Sequence, residues 1–594
     1  MHWFNADTLR GRLVAGGLLV LLTAVAYHDT FTGPWLFDDL PNIRDQTAIR
    51  TFDPLGFFTT GHNRPVLMAT FAANYQLSGL ETLGYHATNF LIHLAAGVLL
   101  WRLLVHLLSH ERVGGDDPAV RAVAWLSAAL WLVHPLQTES VTYIVQRAES
   151  LMGLLFIATV YLTVRGASAE RPWGWYLAAI ATTWIGLGCK EVTVTVPAVM
   201  ALIDRMVLSA SWREVARRRG LVYLAMLAVV VSHAYALAPI VRGEASSAGF
   251  GQQGHSPLEH LYSEPQALLL YARQTIWPWP QCFDWNLAPV TSFAAAALPG
   301  AIVVSVLLAA LIAGHFQRIA ALPVLIAFIV LAPTSSFVPV LDIAVEHRMY
   351  LALAALLPGL VCLVTIGLRK LVAPPQQSSL MMGVACAVLV IATTSTVLRN
   401  RVYRSEIALW QSVVDVRPQN HRALNNLATA LLADEQFDRA ESLSRQALEL
   451  APSRDQASLR YNLARALAAN EKLTEAVATI DEVIQAEPQV AQPYLLRADW
   501  QRRLNNVPAA IDSLTTAAQL KPSWPIVQLR LGECYLAQKK HPQAIERLTR
   551  AAELQPDSTT IQATLLQAYE QAGDTAQAEH VRRRLAELRG STSP

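Results

Sequence analysis

Apolar residues fill long blocks of the first 400 positions and then give way to a shorter amphipathic rhythm. A helix that crosses a bilayer needs about 20 largely apolar residues. Blocks of that kind lie near residues 11–29, 87–108, 120–135, 150–165, 173–189, 192–208, 220–240, 296–314, 319–338, 349–368 and 379–398, about eleven in all. Residues 266–280 (QALLLYARQTIWPWP) are apolar too, but Arg273 and two prolines predict a segment that does not fully cross. The first block also looks like a signal peptide, with Ala24-Val25-Ala26 as a cleavage-like triplet. The polar loop behind it looks anchored to the bundle, so a retained helix is expected.

Past residue 400 the pattern repeats. Prolines recur at Pro418, Pro452, Pro488, Pro522 and Pro556, and Ala440, Ala476, Ala510 and Ala544 each fall twelve residues before one of the last four, with Ala578 continuing the series. Ala428, Ala464, Ala498 and Gly532 form a second small-residue series, twelve residues earlier again. Small side chains are needed there because paired helices cross closely. The block LNNLATALLADEQFDRAESLSRQALELAP resembles the tetratricopeptide repeat almost position by position. The expected fold is all-α: a membrane bundle over 1–400, with its first outward loop at 30–85, and a tetratricopeptide solenoid over 401–590. Within the solenoid a half-repeat is expected at 405–418, full repeats at 421–556 and a capping repeat at 559–590.

Composition sharpens that division. Of 594 residues 53% are hydrophobic and 15% charged. Residues 401–594 carry 46 charged side chains, and residues 1–400 carry the same number over twice the length. A soluble single domain and a disordered chain are both excluded. A net charge of +2 without a basic surface argues against a nucleic-acid partner. Five scattered cysteines suggest neither a disulfide framework nor a zinc site. Lys and Arg favour the cytoplasmic side. Arg10, Arg12, Arg112, Arg121, Arg165, Arg171, Arg213, Arg217–Arg219, Arg318, Arg369 and Lys370 mark it. Residues 30–85, 136–149, 241–292, 339–348 and the C-terminal half then face outward, as in a multi-pass protein of the inner membrane with its site on the periplasmic side.

Ionisable groups beside spanning helices are costly and usually functional. They cluster on the outward side: Asp38 and Asp39 in WLFDDLPNIRDQ, Arg64, and the stripe His86, Asn89 and His93. His86 and His93 stand two turns apart, whereas zinc pairs on a helix are usually one turn apart, so the spacing suits packing histidines better. Glu139, Tyr143, Arg147 and Ser150 share one helical face, Lys190–Glu191 sits at a helix junction, and Glu346, His347 and Arg348 open a helix. Carboxylates facing a set of cations suit a reaction with an anionic leaving group.

In order along the chain come FDD, NRPV, HATNFLIH, HPLQTESVTYIVQRAES, CKE and PTSSFVPVLDIAVEHRMYL, followed by the repeats. Together these resemble a bacterial relative of the transmembrane and tetratricopeptide-repeat O-mannosyltransferases, whose membrane halves have the GT-C architecture. The resemblance implies transfer of mannose or a similar hexose, with inversion, from a polyprenyl-phosphate donor to a hydroxyl of an exported protein or peptide. The repeats are candidates for holding that acceptor, and the donor's lipid lies between helices. It implies Asp39 or Asp38 as general base, Asp39 slightly preferred. Charge and topology more than motif put Arg348, His347, Arg64 and Lys190 at the departing phosphate. Glu191, Arg147, Glu139 and His86 complete the expected substrate-binding set. No metal and no cofactor are expected. A membrane-anchored repeat scaffold and a transporter are the competing readings.

Overall fold

A computed structural model describes residues 8–59, 64–117, 119–233, 256–336 and 338–591. His62, Asn63 and Phe337 of the motifs above, and residues 241–255 of the expected outward segment, lie outside the described residues. Packing divides the chain into Met1–Val416 and Arg417–Pro594. The division falls after residue 416 rather than at 400 because the helix Glu406–Val416 buries Leu409, Trp410 and Val413 within the first unit.

In the first unit every apolar block holds a helix. Among the described residues six helices are long and apolar enough to cross a membrane: Leu9–Ala26, Thr82–Leu108, Ile144–Ala167, Phe293–His315, Glu346–Leu371 and Gln376–Arg404. Val120–Leu132 and Ile319–Leu331 are shorter apolar helices, and Trp173–Leu187 and Trp212–Ser232 fill the remaining long blocks. The block at 192–208 departs from expectation. It is broken into a 3-10 turn at Glu191–Thr195, an α-helix at Val196–Ile203 and a π-turn at Asp204–Leu208. Pro197 explains the restart, since proline has no N–H to donate and is tolerated in a helix's first turn. The doubtful segment forms the amphipathic helix Pro257–Ile276, closed at its start by a capping box between Ser256 and Glu259.

Contacts between helix ends sort the connections into two groups. Asp117 pairs with Arg369 at 2.5 Å, Arg112 donates to the Ser209 carbonyl at 2.6 Å, and Arg205 donates to Gln317 at 2.5 Å. Arg219 forks onto Asp204 through two bonds of 2.5 Å. These are the connections that the Lys and Arg pattern assigns to one side, and they do meet. At the opposite end, Asn400 donates to the Ala26 carbonyl at 2.8 Å and accepts from Thr142 at 2.6 Å. Thr396 donates to the Val133 carbonyl at 2.7 Å.

Tyr350 centres the bundle. Trp131 donates to its carbonyl at 3.0 Å, and its hydroxyl lies 3.0 Å from Nδ1 of His93. Nε2 of His93 donates to the Leu132 carbonyl at 2.9 Å, so Nδ1 accepts from the tyrosine. Gly153 makes room for the ring, since a Cβ there would stand 2.4 Å from Cε1 of Tyr350.

The second unit is five helix pairs, from His421–Ala433 with Phe437–Leu450 to Thr559–Ala572 with Thr575–Ser591. The expected small residues are its crossing points: Ala428, Ala440, Ala464, Ala476, Ala498, Ala510 and Ala544 have no exposed surface. Between the helices of each pair one residue is left-handed, at Glu435, Glu471, Asn505, Lys539 and Gly573. Only the last is the glycine that such a turn favours.

Gly153→Ala is expected to destabilise the first unit by about 1–3 kcal/mol, because His93 and Trp131 prevent the Tyr350 ring from moving aside. A lowered thermal midpoint in detergent checks this.

Candidate active site

At the end marked by Asn400, five stretches of chain converge: the first loop, residues 136–149, the Lys190–Glu191 junction, residues 277–284 and residues 342–348. The adjacent carboxylates of the first loop divide their tasks. Asp39 is 1% exposed, and its two oxygens accept from the amides of Leu36 at 3.1 Å and Val145 at 2.7 Å. Burial pushes its carboxyl up to about 8, against the pull of those amides and aided by the charge of Asp38. Asp38 is exposed, and its amide donates to the Tyr143 hydroxyl at 2.8 Å. Although open to solvent, its carboxyl is hemmed in by enough protein to be raised by desolvation. The Tyr143 hydroxyl lowers it and the nearby charge of Asp342 raises it further. Asp39 is a staple whose lone pairs serve the backbone, and Asp38 is the carboxylate that lies open to solvent.

Beside this turn runs a row of alternating charges. Nδ1 of His347 lies 2.6 Å from Oε1 of Glu139, and the His347 amide donates to Oε2 at 3.1 Å. Nε2 of His347 is 3.9 Å from Glu149, which pairs with the ammonium of Lys190. Burial pushes the Glu139 carboxyl up to about 8, opposed by Arg399 and Lys190. Farther out, Arg64 pairs with Glu191 at 3.3 Å, with side chains 41% and 31% exposed. Burial raises the Glu191 carboxyl, but Arg64 and Lys190 outweigh it and hold the group down at about 2. The pair is part-exposed, so solvent screens it more than a buried pair. Lys190, buried against Glu149, is more firmly committed.

Three expected substrate contacts belong to the scaffold instead. Arg147 is fully buried, and its donors are spent on Asn89 at 2.6 Å, the Tyr85 carbonyl at 3.1 Å and Thr70 at 3.2 Å. Its guanidinium also stacks on Phe71, 4.6 Å from the ring centre. Arg348 grips backbone, donating to the carbonyls of Asp342 at 2.7 Å and Ile343 at 3.0 Å. It shapes the segment that carries Asp342 and is not displayed to a phosphate. His86 lies buried against the Gly33 carbonyl at 3.1 Å and fixes the start of the first loop.

The structure adds groups that the sequence reading passed over. Asp342, four residues before Glu346 in LDIAVEHR, is half-buried and acts on Asp38, Glu139 and His347 alike. Arg399 looks in sequence like a flanking anchor. It is instead buried 3.5 Å from Glu346, which also accepts from Gln274 at 2.7 Å and the Cys282 amide at 2.8 Å. Between the membrane helices lies an apolar cavity of about 460 Å³, lined among others by Leu351, Leu104, Phe156, Leu322 and Ile366. Leu351 stands one turn along the helix from His347.

Fold and site define a class: a polytopic helical membrane protein with a charged pocket at one end of the bundle and a C-terminal repeat array. The tetratricopeptide repeat model matches residues 403–455, 431–499 and 503–559. Over the longer range the chain is related to the TMTC proteins. It is 25% identical over 480 residues to human protein O-mannosyl-transferase TMTC4, covering 71% of this chain and 63% of that one. To protein O-mannosyl-transferase F38B6.6 of Caenorhabditis elegans it is 23% identical, covering 74% and 63%. A stretch of 159 residues is 34% identical to Drosophila melanogaster Tmtc3, covering 23% and 17%. The chain thus spans less than two thirds of the length of these relatives. A crystal structure of MamA aligns at a TM-score of 0.27 and 17% identity, covering 29% of this chain and 92% of that one.

Asp39→Ala is expected to cost about 1–3 kcal/mol for each of the two amides it leaves unpaired. Asp38→Ala should cost less, about 1 kcal/mol, since the Tyr143 hydroxyl is the donor that its carboxylate serves.

Proposed function

We propose that the protein is a membrane glycosyltransferase of GT-C type that moves a hexose, mannose or similar, from a polyprenyl phosphate to a hydroxyl of an exported protein, with inversion. The names of its relatives support transfer of mannose to protein. The donor is supported by one observation above all: a cluster of charged groups that includes an exposed carboxylate and a part-exposed arginine sits at the ends of helices that also enclose an apolar cavity. A lipid-linked sugar phosphate has those three parts, a prenyl chain, an anion and a reacting carbon.

In this reading Asp38 takes the proton of the acceptor hydroxyl as its oxygen attacks the anomeric carbon, and the phosphate departs from the opposite face. Arg64, with Lys190 behind it, meets the charge that develops on the leaving phosphate. Glu139 fixes the ring of His347 beside them, and Asp342 keeps the proton affinity of Asp38 high. The reaction needs no redox or Lewis-acid step, and we propose that no metal ion or other cofactor resides in the site. The Lys and Arg bias supports an orientation with this end of the bundle on the outer, periplasmic face of the inner membrane. In this reading the chain leaves its last membrane helix on that face, and the repeats are candidates for binding the acceptor protein.

Transfer from a polyprenyl-phosphate mannose to a protein acceptor in proteoliposomes tests the reading. Asp38→Asn should reduce it by about a hundredfold or more without loss of folding. Full transfer in Asp38→Asn overturns the assignment. Arg64→Ala should lower kcat/KM by about tenfold, and a chelator should leave transfer unchanged.

The pH profile follows from the neighbours of Asp38. The base works ionised, so activity falls as pH drops through its titration. Tyr143→Phe removes a hydrogen bond that holds the carboxyl down, and the acid limb of kcat/KM should move to higher pH. Asp342→Asn removes a charge that holds it up, and the limb should move to lower pH.

A further inference from the structure

Three consecutive amides in the first loop are each held by a side chain. Leu36 donates to Asp39 at 3.1 Å, Phe37 to Oε1 of Glu406 at 3.3 Å, and Asp38 to the hydroxyl of Tyr143 at 2.8 Å. The middle one comes from a helix more than 360 residues downstream. Phe37 itself has a φ of 38°. For a bulky side chain that left-handed conformation is unfavourable by about 1–2 kcal/mol and persists only where surrounding contacts impose it.

Those contacts are aromatic. The Phe37 ring meets Trp410 edge to face at 5.1 Å and Phe283 at 6.4 Å, and the latter two lie 5.5 Å apart. Phe283 in turn packs on Tyr143 at 5.2 Å and on Tyr403 at 6.2 Å. Trp410 is 2% exposed, whereas Phe37 is 39% exposed and relies on this box for its position. Glu406 and Trp410 stand four residues apart on Glu406–Val416 and so share one face of that helix. One face therefore supplies both the acceptor for the Phe37 amide and the wall for its ring. Because Phe37 immediately precedes Asp38, its backbone angles decide where the Asp38 carboxylate points.

The tetratricopeptide match begins at residue 403. The helix that shapes the turn is thus the leading helix of the repeat region by sequence, although it packs with the membrane unit. We infer that Glu406 and Trp410 are positioning residues for Asp38, so that the segment leading into the repeats is a working part of the transfer site. This rests on the reading of Asp38 as the base. Neither residue touches substrate; both act through the backbone of Phe37.

The test is steady-state transfer by the full chain in proteoliposomes, with kcat and donor KM measured separately. Glu406→Ala and Trp410→Ala are expected to lower kcat by about tenfold or more, the usual scale for a catalytic group displaced by about an ångström. Donor KM should stay within about twofold, because the arginine and the apolar cavity are untouched. Glu406→Gln keeps an oxygen that accepts from the Phe37 amide, and Trp410→Phe keeps a wall. Both should recover most of kcat. The inference is overturned if the alanine variants keep kcat within about twofold of wild type. It is equally overturned if Glu406→Gln and Trp410→Phe fail as fully as alanine while thermal midpoints fall alongside. Should Trp410→Ala not insert, the Glu406 pair decides alone, since Glu406 is only half-buried. Asp38→Asn assayed beside them keeps the two readings apart. Retained transfer there removes the base assignment itself. An inactive Asp38→Asn with unaffected Glu406→Ala and Trp410→Ala removes only the positioning role.

Discussion

The carboxylate of Asp39 bridges the first loop and the start of a membrane helix. One oxygen takes the amide of Leu36 in the first loop, and the other takes the amide of Val145. Both amides would otherwise be buried without a partner, at a cost larger than the net gain of a typical hydrogen bond. Apolar packing of Ile43, Ile49 and Phe57 on Ile144 and Ala148 brings the two segments together, and the carboxylate sets their register. It also decides the role of its neighbour, because adjacent residues in a tight turn point in different directions. With Asp39 turned inward, Asp38 faces out, and Tyr143 and Glu406 hold the amides on either side of the bond between Phe37 and Asp38.

The same reasoning separates the charges around the pocket. A cation whose hydrogen bonds are already spent on buried backbone cannot turn to a ligand without leaving those carbonyls bare. Arg147 and Arg348 are of that kind, and Arg399 is buried beside Glu346. Arg64 differs from these, because its pairing with Glu191 is part-exposed to solvent, whereas Lys190 is buried against Glu149. The charges at this end therefore divide into a buried set and a smaller accessible set.

Much of this architecture is legible in the sequence, for identifiable reasons. The repeats announce themselves because close helix crossings tolerate only small residues, and those positions are buried alanines as expected. The membrane helices and the grouping of their connections follow from length and the placement of Lys and Arg. The individual roles within the site do not follow. Asp38 and Asp39 are chemically identical, and only the positions of Leu36 and Val145 distinguish them. Arg147 falls on the same helical stripe as Glu139 and Tyr143, yet it points into a pocket made by Asn89, Thr70 and Tyr85 from other elements. Asp342 carries no motif of its own, and Arg399 sits where an apolar block ends, a place where cations are common for orientation alone. Sequence pattern reports which face a residue occupies, but burial and partners come from other helices.

The boundary between the units shows the same limit and adds a physical point. By sequence, residues 405–418 are half of a repeat, and a half-repeat has an apolar face with no sister helix to cover it. Leu409, Trp410 and Val413 would lie open to water at the end of an isolated array, which is why repeat arrays need a cap. Here the three are buried, and Trp410 packs within the membrane unit against Phe37 of the first loop and Phe283. Covering that face recruits Phe37, and recruiting Phe37 sets the turn that presents Asp38. The requirement to bury an unpaired helix of the repeats and the requirement to aim a carboxylate are thus met by one contact. A substitution made to loosen the first unavoidably disturbs the second.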